Sequence, residues 1–236
     1  MSKVQNIAFV IPAYNEGKVI AGVIKDLRKT LADKDYRFEI VVVDDGSKDN
    51  TAEAAEKAGA HVIRHILNTG TGGSTATGLS YAQQGNFDLA TTLDADGQHD
   101  PKDVLRGIEI MNTDSTDLLI GSRLINPAGM SRVKIIGNKG LTFITYLLFG
   151  INVTDSQSGL RIFSRKALDQ LKWKTSGFEF CSEMLWRAKQ QGLTIKEYSI
   201  KAIYTDYSKS KGQNNWNALN IIKALLRNRL VELFGE

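Results

Sequence analysis

The chain reads as an α/β protein built on a doubly wound, mostly parallel sheet flanked by helices. Three observations predict this: strand-length apolar runs alternate with helical periodicity, those runs are apolar throughout, and polar or acidic clusters follow three of them. A strand that is apolar at every position is buried on both faces, as in a parallel sheet covered by helices. In such sheets ligands bind beyond the carboxyl ends of the strands.

Asn6 to Ile11 is the first strand, and Lys18 to Leu31 follows as a helix with Ile20, Val23, Ile24, Leu27 and Leu31 at helical spacing. Phe38 to Val43 is the second strand, Thr51 to Ala58 a short Ala-rich helix, His61 to His65 a third strand, and Ser74 to Gln84 a helix. Phe87 to Leu93 forms the fourth strand. Asp100-Pro101 supplies an N-cap and a first-turn proline for a helix through Met111, and Asp117 to Ile120 is a further strand. Another helix begins within Gly177 to Glu183 and runs through Gln191. No repeat or low-complexity segment interrupts this pattern.

With 236 residues, 42% of them hydrophobic, the chain is long enough for one domain with a full core. The net charge of +4 is too mild for a nucleic-acid binder and suits phosphorylated ligands or an anionic membrane surface. The single Cys181 excludes an internal disulfide, and the N-terminus lacks the apolar core of a signal peptide, so the expected location is cytoplasmic. The longest apolar run, Leu141 to Ile151, includes Thr142 and Thr145 and falls short of the roughly 20 residues that span a bilayer.

The chemistry concentrates in Thr91-Thr92-Leu93-Asp94-Ala95-Asp96-Gly97-Gln98-His99. In an extended chain Asp94 and Asp96 project to one side while Ala95 turns to the core. Such an all-oxygen pair suits Mg²⁺ or Mn²⁺, which take one or two protein carboxylates plus phosphate oxygens. The missing ligands point to a diphosphate. Alone, Asp-x-Asp also reads as a polar turn. Two more clusters, Pro12 to Glu16 and Asp44 to Ser47, follow the first and second strands and place three polar ends at one crevice.

Six segments carry a resemblance: Ile11-Pro-Ala-Tyr-Asn-Glu16, Val43-Asp-Asp-Gly-Ser47, Asn68-x-Gly70-x-Gly72, Leu93-Asp-Ala-Asp-Gly-Gln98, Gly121-Ser-Arg123 and Asp155-x-Gln-Ser-Gly-x-Arg161. In type and order they resemble the inverting glycosyltransferases of family 2, with the GT-A fold, and most closely the dolichyl- or polyprenyl-phosphate sugar synthases. The resemblance implies one domain over residues 1–236, with a Rossmann-like nucleotide-sugar-binding half over 1–99, an acceptor half over 100–213 and an amphipathic C-terminal helix over 214–236. It implies that Pro12, Tyr14, Glu16, Asp44 and Asp45 hold the base and ribose, with Gly70 and Gly72 in the glycine loop and Asp94 near the ribose and diphosphate. Asp96, with Asp94 and Gln98, would hold Mg²⁺ or Mn²⁺. Asp96, Asp155, Arg123 and Arg161 are the expected catalytic residues.

The chain departs from the family at Thr71, where relatives often carry Lys between the two glycines. Gly70-Thr71-Gly72 also opens a dinucleotide fingerprint, which fails at Thr75 and follows the third strand rather than the first. On the acceptor side, Arg123, Arg132 and Arg161 supply planar donors suited to phosphate oxygens. Glu183 matches a position facing the active site in relatives, although a first-turn acid also stabilises a helix by itself. Tyr207 to Gln213, with Lys211, resembles the family's lid over the phosphates. Arg132, Glu183 and Lys211 are therefore assigned to acceptor binding. His61, His65 and His99 show no zinc or nucleophile spacing, and only His99 adjoins the acidic turn.

Trp216 to Phe234 is amphipathic, with Leu219, Ile222, Leu226, Leu230 and Leu233 as its stripe, open to docking on the domain or to membrane contact. The expected function is metal-dependent transfer, with inversion, from a UDP- or GDP-linked sugar to a polyprenyl or dolichyl phosphate at the cytoplasmic membrane face. The alternatives are transfer to a saccharide hydroxyl, as on a lipid-linked saccharide, in cell-wall or exopolysaccharide assembly, and a non-catalytic nucleotide-sugar-binding subunit. The acidic pair argues against the last, because a sensor needs no Lewis acid at a leaving group.

Overall fold

A computed structural model describes residues 6–204, Tyr207, 220–227 and Arg229. The chain runs β1 (Asn6–Ala13), α1 (Ile20–Leu31), β2 (Arg37–Asp44), α2 (Thr51–Lys57), β3 (His61–Arg64), α3 (Thr71–Gln84) and β4 (Leu89–Thr92) through its first half. It continues α4 (Pro101–Thr113), β5 (Leu118–Ser122), α5 (Arg132–Phe149), β6 (Arg161–Ser164), α6 (Arg165–Gln170), α7 (Phe180–Gln190) and β7 (Ile195–Ser199). The strands form one mixed sheet in the order β3-β2-β1-β4-β6-β5-β7. β6 is antiparallel to both β4 and β5, and the remaining pairs are parallel.

The two faces of the sheet follow from the period of two along each strand. Ile7, Phe9 and Ile11 of β1 join a core with Ile20, Ile24 and Leu27 of α1 and Val104 and Ile108 of α4. Ala8 and Val10 face the other way, against Leu79 and Ala82 of α3, in a core that also holds α6 and α7. Burial on both faces is why Ile40 to Val43 is apolar at every position. α4 starts as expected: Asp100 accepts the Lys102 backbone N–H at 2.9 Å, and Pro101 occupies the first turn.

Several boundaries differ from the sequence expectation. α3 begins at Thr71 rather than Ser74, because its Thr-Gly-Gly start is held by a tertiary contact, Gly72 N–H to the Ser176 carbonyl at 2.7 Å. β4 ends at Thr92, so Asp94 and Asp96 lie in a turn rather than on a continuing strand. β6 has four residues and begins with a buried arginine, a pattern that carries no strand signal of its own. Its reversed direction sets Arg161 level with Thr92 of β4 and Ile120 of β5.

Residues 220–227 are helical, and Ile221 and Leu225 are buried in the same core as Phe149 and Trp186. The described turns thus dock on the domain through a face one residue off the expected stripe, and Leu226 remains exposed. Leu219, Leu230 and Leu233 lie outside the described residues, as does Lys211.

Candidate active site

The carboxyl ends of β1, β2 and β4, together with the start of β6, enclose a cavity of about 550 Å³. Its floor is acidic. Asp94 and Asp96 both line it, with Gln98 beside them. The turn after β4 is tightened by Gly97 at a φ of 76° and by the Gln98 backbone N–H, which donates to Asp96 Oδ1 at 3.0 Å. The Gln98 side-chain amide donates to Asp96 Oδ2. Buried His99 places Nε2 3.0 Å from Asp94 Oδ2. His99 also bridges to Ala202, and the Ile203 N–H donates to the Gln98 carbonyl at 3.0 Å, which brings Tyr204 to the cavity wall.

Desolvation at the cavity floor raises the pKa of both carboxyls, yet the pair divides. For Asp94 the His99 hydrogen bond, with the charges of His99, Arg123 and Arg161, outweighs it and holds the group below the usual carboxylate value. For Asp96 desolvation and the neighbouring Asp94 charge keep it above that value, against Gln98 and His99. Two close carboxylates that repel each other, both open to one cavity, fit a divalent cation. Among the described residues no set of three or more His, Cys, Asp or Glu forms a cage.

The β2 end acts through Asp45. Its Oδ1 accepts from the Thr69 N–H at 2.9 Å and the Thr69 hydroxyl at 2.7 Å and lies 2.8 Å from His65 Nδ1, while Oδ2 accepts the Gly70 N–H at 2.8 Å. Burial alone would raise this carboxyl, but the Thr69, His65 and Gly70 bonds hold it below the ordinary range. Gly70, at a φ of 88°, is the N-cap of α3, a conformation that favours glycine. Asp45 thereby fixes the start of α3, and Gly70, Thr71, Ser74 and Thr75 line the cavity. A helix N-terminus is a ready anion site.

Three cations line the same cavity. Arg123 grips Asp155, Nε to Oδ2 at 2.7 Å and Nη2 to Oδ1 at 2.9 Å. Burial works against its charge, but Asp155 and Asp94 raise its pKa further. Arg161 is buried, donates Nη2 to the Ser156 carbonyl at 3.1 Å, stacks over Phe180 at 5.3 Å and leaves Nε without a partner. Among the described residues no carboxylate lies within ion-pair distance of it. Lys134 of α5 sits 4.3 Å above the Tyr204 ring. Burial, helped by Arg123 and opposed by Asp96, lowers its pKa.

An acidic turn, a helix N-terminus and three cations thus line one cavity. Residues 8–172, well over half of the chain, match the family model described as Glycosyl transferase family 2. The chain belongs to glycosyl transferase family 2. It is 42% identical to the UDP-N-acetylglucosamine--dolichyl-phosphate N-acetylglucosaminyltransferase of Methanococcus voltae, over 93% of this chain and 94% of that one. It is 29% identical to the undecaprenyl-phosphate mannosyltransferase of Micrococcus luteus, over 86% of this chain and 85% of the relative. The fold matches glucosyl-3-phosphoglycerate synthase from Mycobacterium tuberculosis, solved in complex with Mn²⁺ and UDP-glucose, with a TM-score of 0.73 at 20% identity, over 95% of this chain and 79% of that one. The sheet is thus the GT-A fold of a glycosyltransferase.

The cavity of this family 2 glycosyltransferase gathers Pro12, Tyr14, Glu16, Asp45, Gly70, Asp94, Asp96, Gln98, Arg123 and Arg161. Other expected residues stand behind it. Asp44 is fully buried, accepts the Ser47 N–H at 3.0 Å and lies 3.2 Å from Arg64 Nε, so it braces the β2 turn and does not line the cavity. Gly72 packs against Thr175, Ser176 and Phe180, and Trp173 Nε1 donates to its carbonyl at 3.1 Å. Glu183 is buried with its carboxylate on the Lys174 and Thr175 N–H groups and on Arg187. Asp155 is fully buried, and Glu197 accepts from its N–H and from Thr154, fixing the loop. It positions Arg123 rather than reaching the cavity. Arg132 is exposed in the first turn of α5 and does not line the cavity.

Lys134, Asn138, Gln157 and Tyr204 line the cavity without having been expected there. Lys134 and Asn138 are four apart, hence on one helical face. That spacing was readable, but which face turns inward was not. Tyr207, at the start of the expected lid, donates its hydroxyl to Glu16 Oε2 at 2.7 Å.

Proposed function

We propose that this glycosyltransferase moves a sugar from a nucleoside diphosphate to a polyprenyl phosphate at the cytoplasmic face of a membrane, with inversion. One observation carries the choice of acceptor. Arg123, Lys134 and Arg161 converge on the cavity, while the carboxylate of Asp155 is closed off by Arg123. A sugar hydroxyl must lose a proton as it attacks, and a positioned base contributes about 10²–10⁴-fold. A phosphate monoester arrives ionised and needs cations that hold it in line. The names of the Methanococcus voltae and Micrococcus luteus relatives support the same acceptor class.

On this reading Pro12, Tyr14 and Glu16 receive the nucleoside, and the N-terminus of α3 faces the diphosphate. Asp94 and Asp96, with Gln98, would hold Mg²⁺ or Mn²⁺. When bound, that ion supplies Lewis-acid neutralisation of the departing diphosphate. An acceptor phosphate oxygen forms the new bond to the anomeric carbon as the bond to the donor diphosphate breaks on the opposite face. The three cations orient the acceptor, and the nucleoside diphosphate leaves with the electron pair.

The test is transfer from a panel of UDP- and GDP-sugars, with Mg²⁺ or Mn²⁺, to purified polyprenyl phosphate and separately to saccharides. Transfer to the phosphate, abolished by chelator and by Asp96→Ala, is the expected result. Efficient transfer only to saccharides, with an acidic limb in the pH–rate profile that Asp155→Asn removes, would overturn it.

A further inference from the structure

The loop that leads into β6 carries a polar side chain with no part in the reaction proposed above. Gln157 lines the cavity, with its amide nitrogen Nε2 3.2 Å from Ser156 Oγ and 3.4 Å from Ser182 Oγ. Whether the amide turns its nitrogen or its oxygen to those hydroxyls is decided by the protons behind them. Thr145 donates its single hydroxyl proton to the Leu141 carbonyl at 2.9 Å, and Ser182 Oγ lies 2.7 Å from Thr145 Oγ1. Ser182 must therefore donate to Thr145, which leaves only lone pairs for Gln157. Nε2–H alone can meet them. Ser156, Ser182 and Thr145 are fully buried, so bulk water does not compete for these bonds.

With its nitrogen held, Gln157 turns Oε1 away from the network. Among the described residues this oxygen has no hydrogen-bond partner, and it is not sealed in the core, so it opens to the cavity. A carbonyl oxygen accepts and never donates. The oxygens of an ionised phosphate cannot satisfy it, and Arg161, bonded to the adjacent Ser156 carbonyl at 3.1 Å, disfavours a metal ion there. Its partner must bring an O–H or an N–H. Sheet order places that partner. From β2 through β1 and β4 to β6, the cavity wall passes from Asp45 to Pro12 and Tyr14, then to Asp94 and Asp96, then to Gln157 and Gly159. A nucleoside held at β1 and β2, with its diphosphate at the turn after β4, extends its sugar toward Gln157.

We infer that Gln157 selects the transferred sugar: its Oε1 accepts a hydrogen bond from a hydroxyl or an acetamido N–H of that sugar. Once the donor fills the cavity, an Oε1 left unpaired is costly, so a sugar with no hydrogen-bond donor at that position is rejected. The inference rests on the nucleoside-diphosphate-sugar donor proposed above and is indifferent to the acceptor.

The test is calorimetric titration of the full chain in Mn²⁺, first with UDP, GDP, UDP-glucose, UDP-N-acetylglucosamine and GDP-mannose to find the donor that binds. Analogues of that donor follow, with each sugar O–H replaced by fluorine and an acetamido N–H, where present, by oxygen, so that the group can no longer donate. At one position wild type should lose about tenfold or more in affinity. Gln157→Leu should suffer no penalty there, while its affinity for the sugar-free nucleoside diphosphate stays within about twofold of wild type. Ser182→Ala covers the case in which Gln157→Leu fails to fold: it removes the acceptor that orients the amide but leaves Gln157, and the penalty at the same position should shrink. A full penalty in folded Gln157→Leu or in Ser182→Ala, no position with a penalty in wild type, or an equal loss of sugar-free nucleotide binding would overturn this inference alone. Failure of wild type to bind any nucleoside-diphosphate sugar would overturn the donor reading and this inference with it.

Discussion

Asp155 and Arg123 are joined at two points, Nε to Oδ2 at 2.7 Å and Nη2 to Oδ1 at 2.9 Å, and the Arg123 backbone N–H adds a third bond to Oδ2 at 3.2 Å. The carboxylate is fully buried while the guanidinium reaches the cavity, so the acid positions the cation.

Asp155→Asn should therefore behave as a positioning variant. It leaves Arg123 without its counter-charge and with only one oxygen to grip. Removing one partner of a buried pair costs roughly 3–5 kcal/mol, and the loss here should be smaller because Arg123 meets water in the cavity. Urea unfolding measures that loss. Turnover should fall steeply with a raised acceptor KM, while donor affinity by calorimetry stays within about twofold of wild type, a small fraction of the 1.4 kcal/mol that a tenfold change represents.

Arg161 carries a buried charge with no carboxylate within ion-pair distance among the described residues, a state that favours capture of an anion. Arg161→Met keeps the volume and the contact with Phe180 but removes the charge. The acceptor's apparent KM should rise at least tenfold, about 1.4 kcal/mol of binding, with the fold intact. An unchanged KM for an anionic acceptor would remove Arg161 from that role.

Gly159 leaves room for Asp94. A Cβ at residue 159 would collide with both Asp94 carboxylate oxygens, while Thr92 Oγ1 holds the Gly159 carbonyl at 2.9 Å and prevents retreat. Gly159→Ala should displace Asp94 and weaken donor binding in Mn²⁺, with far-ultraviolet circular dichroism unchanged. Donor titration with and without Mn²⁺ checks it, and equal affinities for variant and wild type would refute the crowding argument.

Acid stability should depend on Asp45 and Asp117. Burial raises both, yet Thr69, His65 and Gly70 for the first, and Thr194, Lys166 and Ser164 for the second, hold them below the ordinary carboxylate value. A depressed folded pKa contributes stability that is complete above the unfolded value of about 3.9 and is lost as pH falls toward the folded one. The urea midpoint should therefore be level from pH 7 to about pH 5 and drop below pH 4. Asp117→Asn should lower the midpoint at pH 7 and flatten the acid slope.

The sequence by itself determined the alternation of strands and helices through α4, the burial of Ile40 to Val43, the cap at Asp100, and the clustering of Pro12, Tyr14, Asp45, Asp94 and Asp96 at strand ends. These rest on local rules: periodicity, side-chain hydrogen bonds to nearby backbone, and the fact that parallel strands end on one side of a sheet. Tertiary structure alone decided what depends on rotation or on distant partners. Whether Arg132 or Lys134 enters the cavity is the phase of one helix, set when Thr142 and Thr145 find Ser156 and Ser182. Glu183 and Asp45 are ordinary acids until Lys174, Thr175, Thr69 and Gly70 bring their N–H groups from other segments. β6 has only four residues, too few to show a period, and it becomes a strand because β4 and β5 offer edges on both sides.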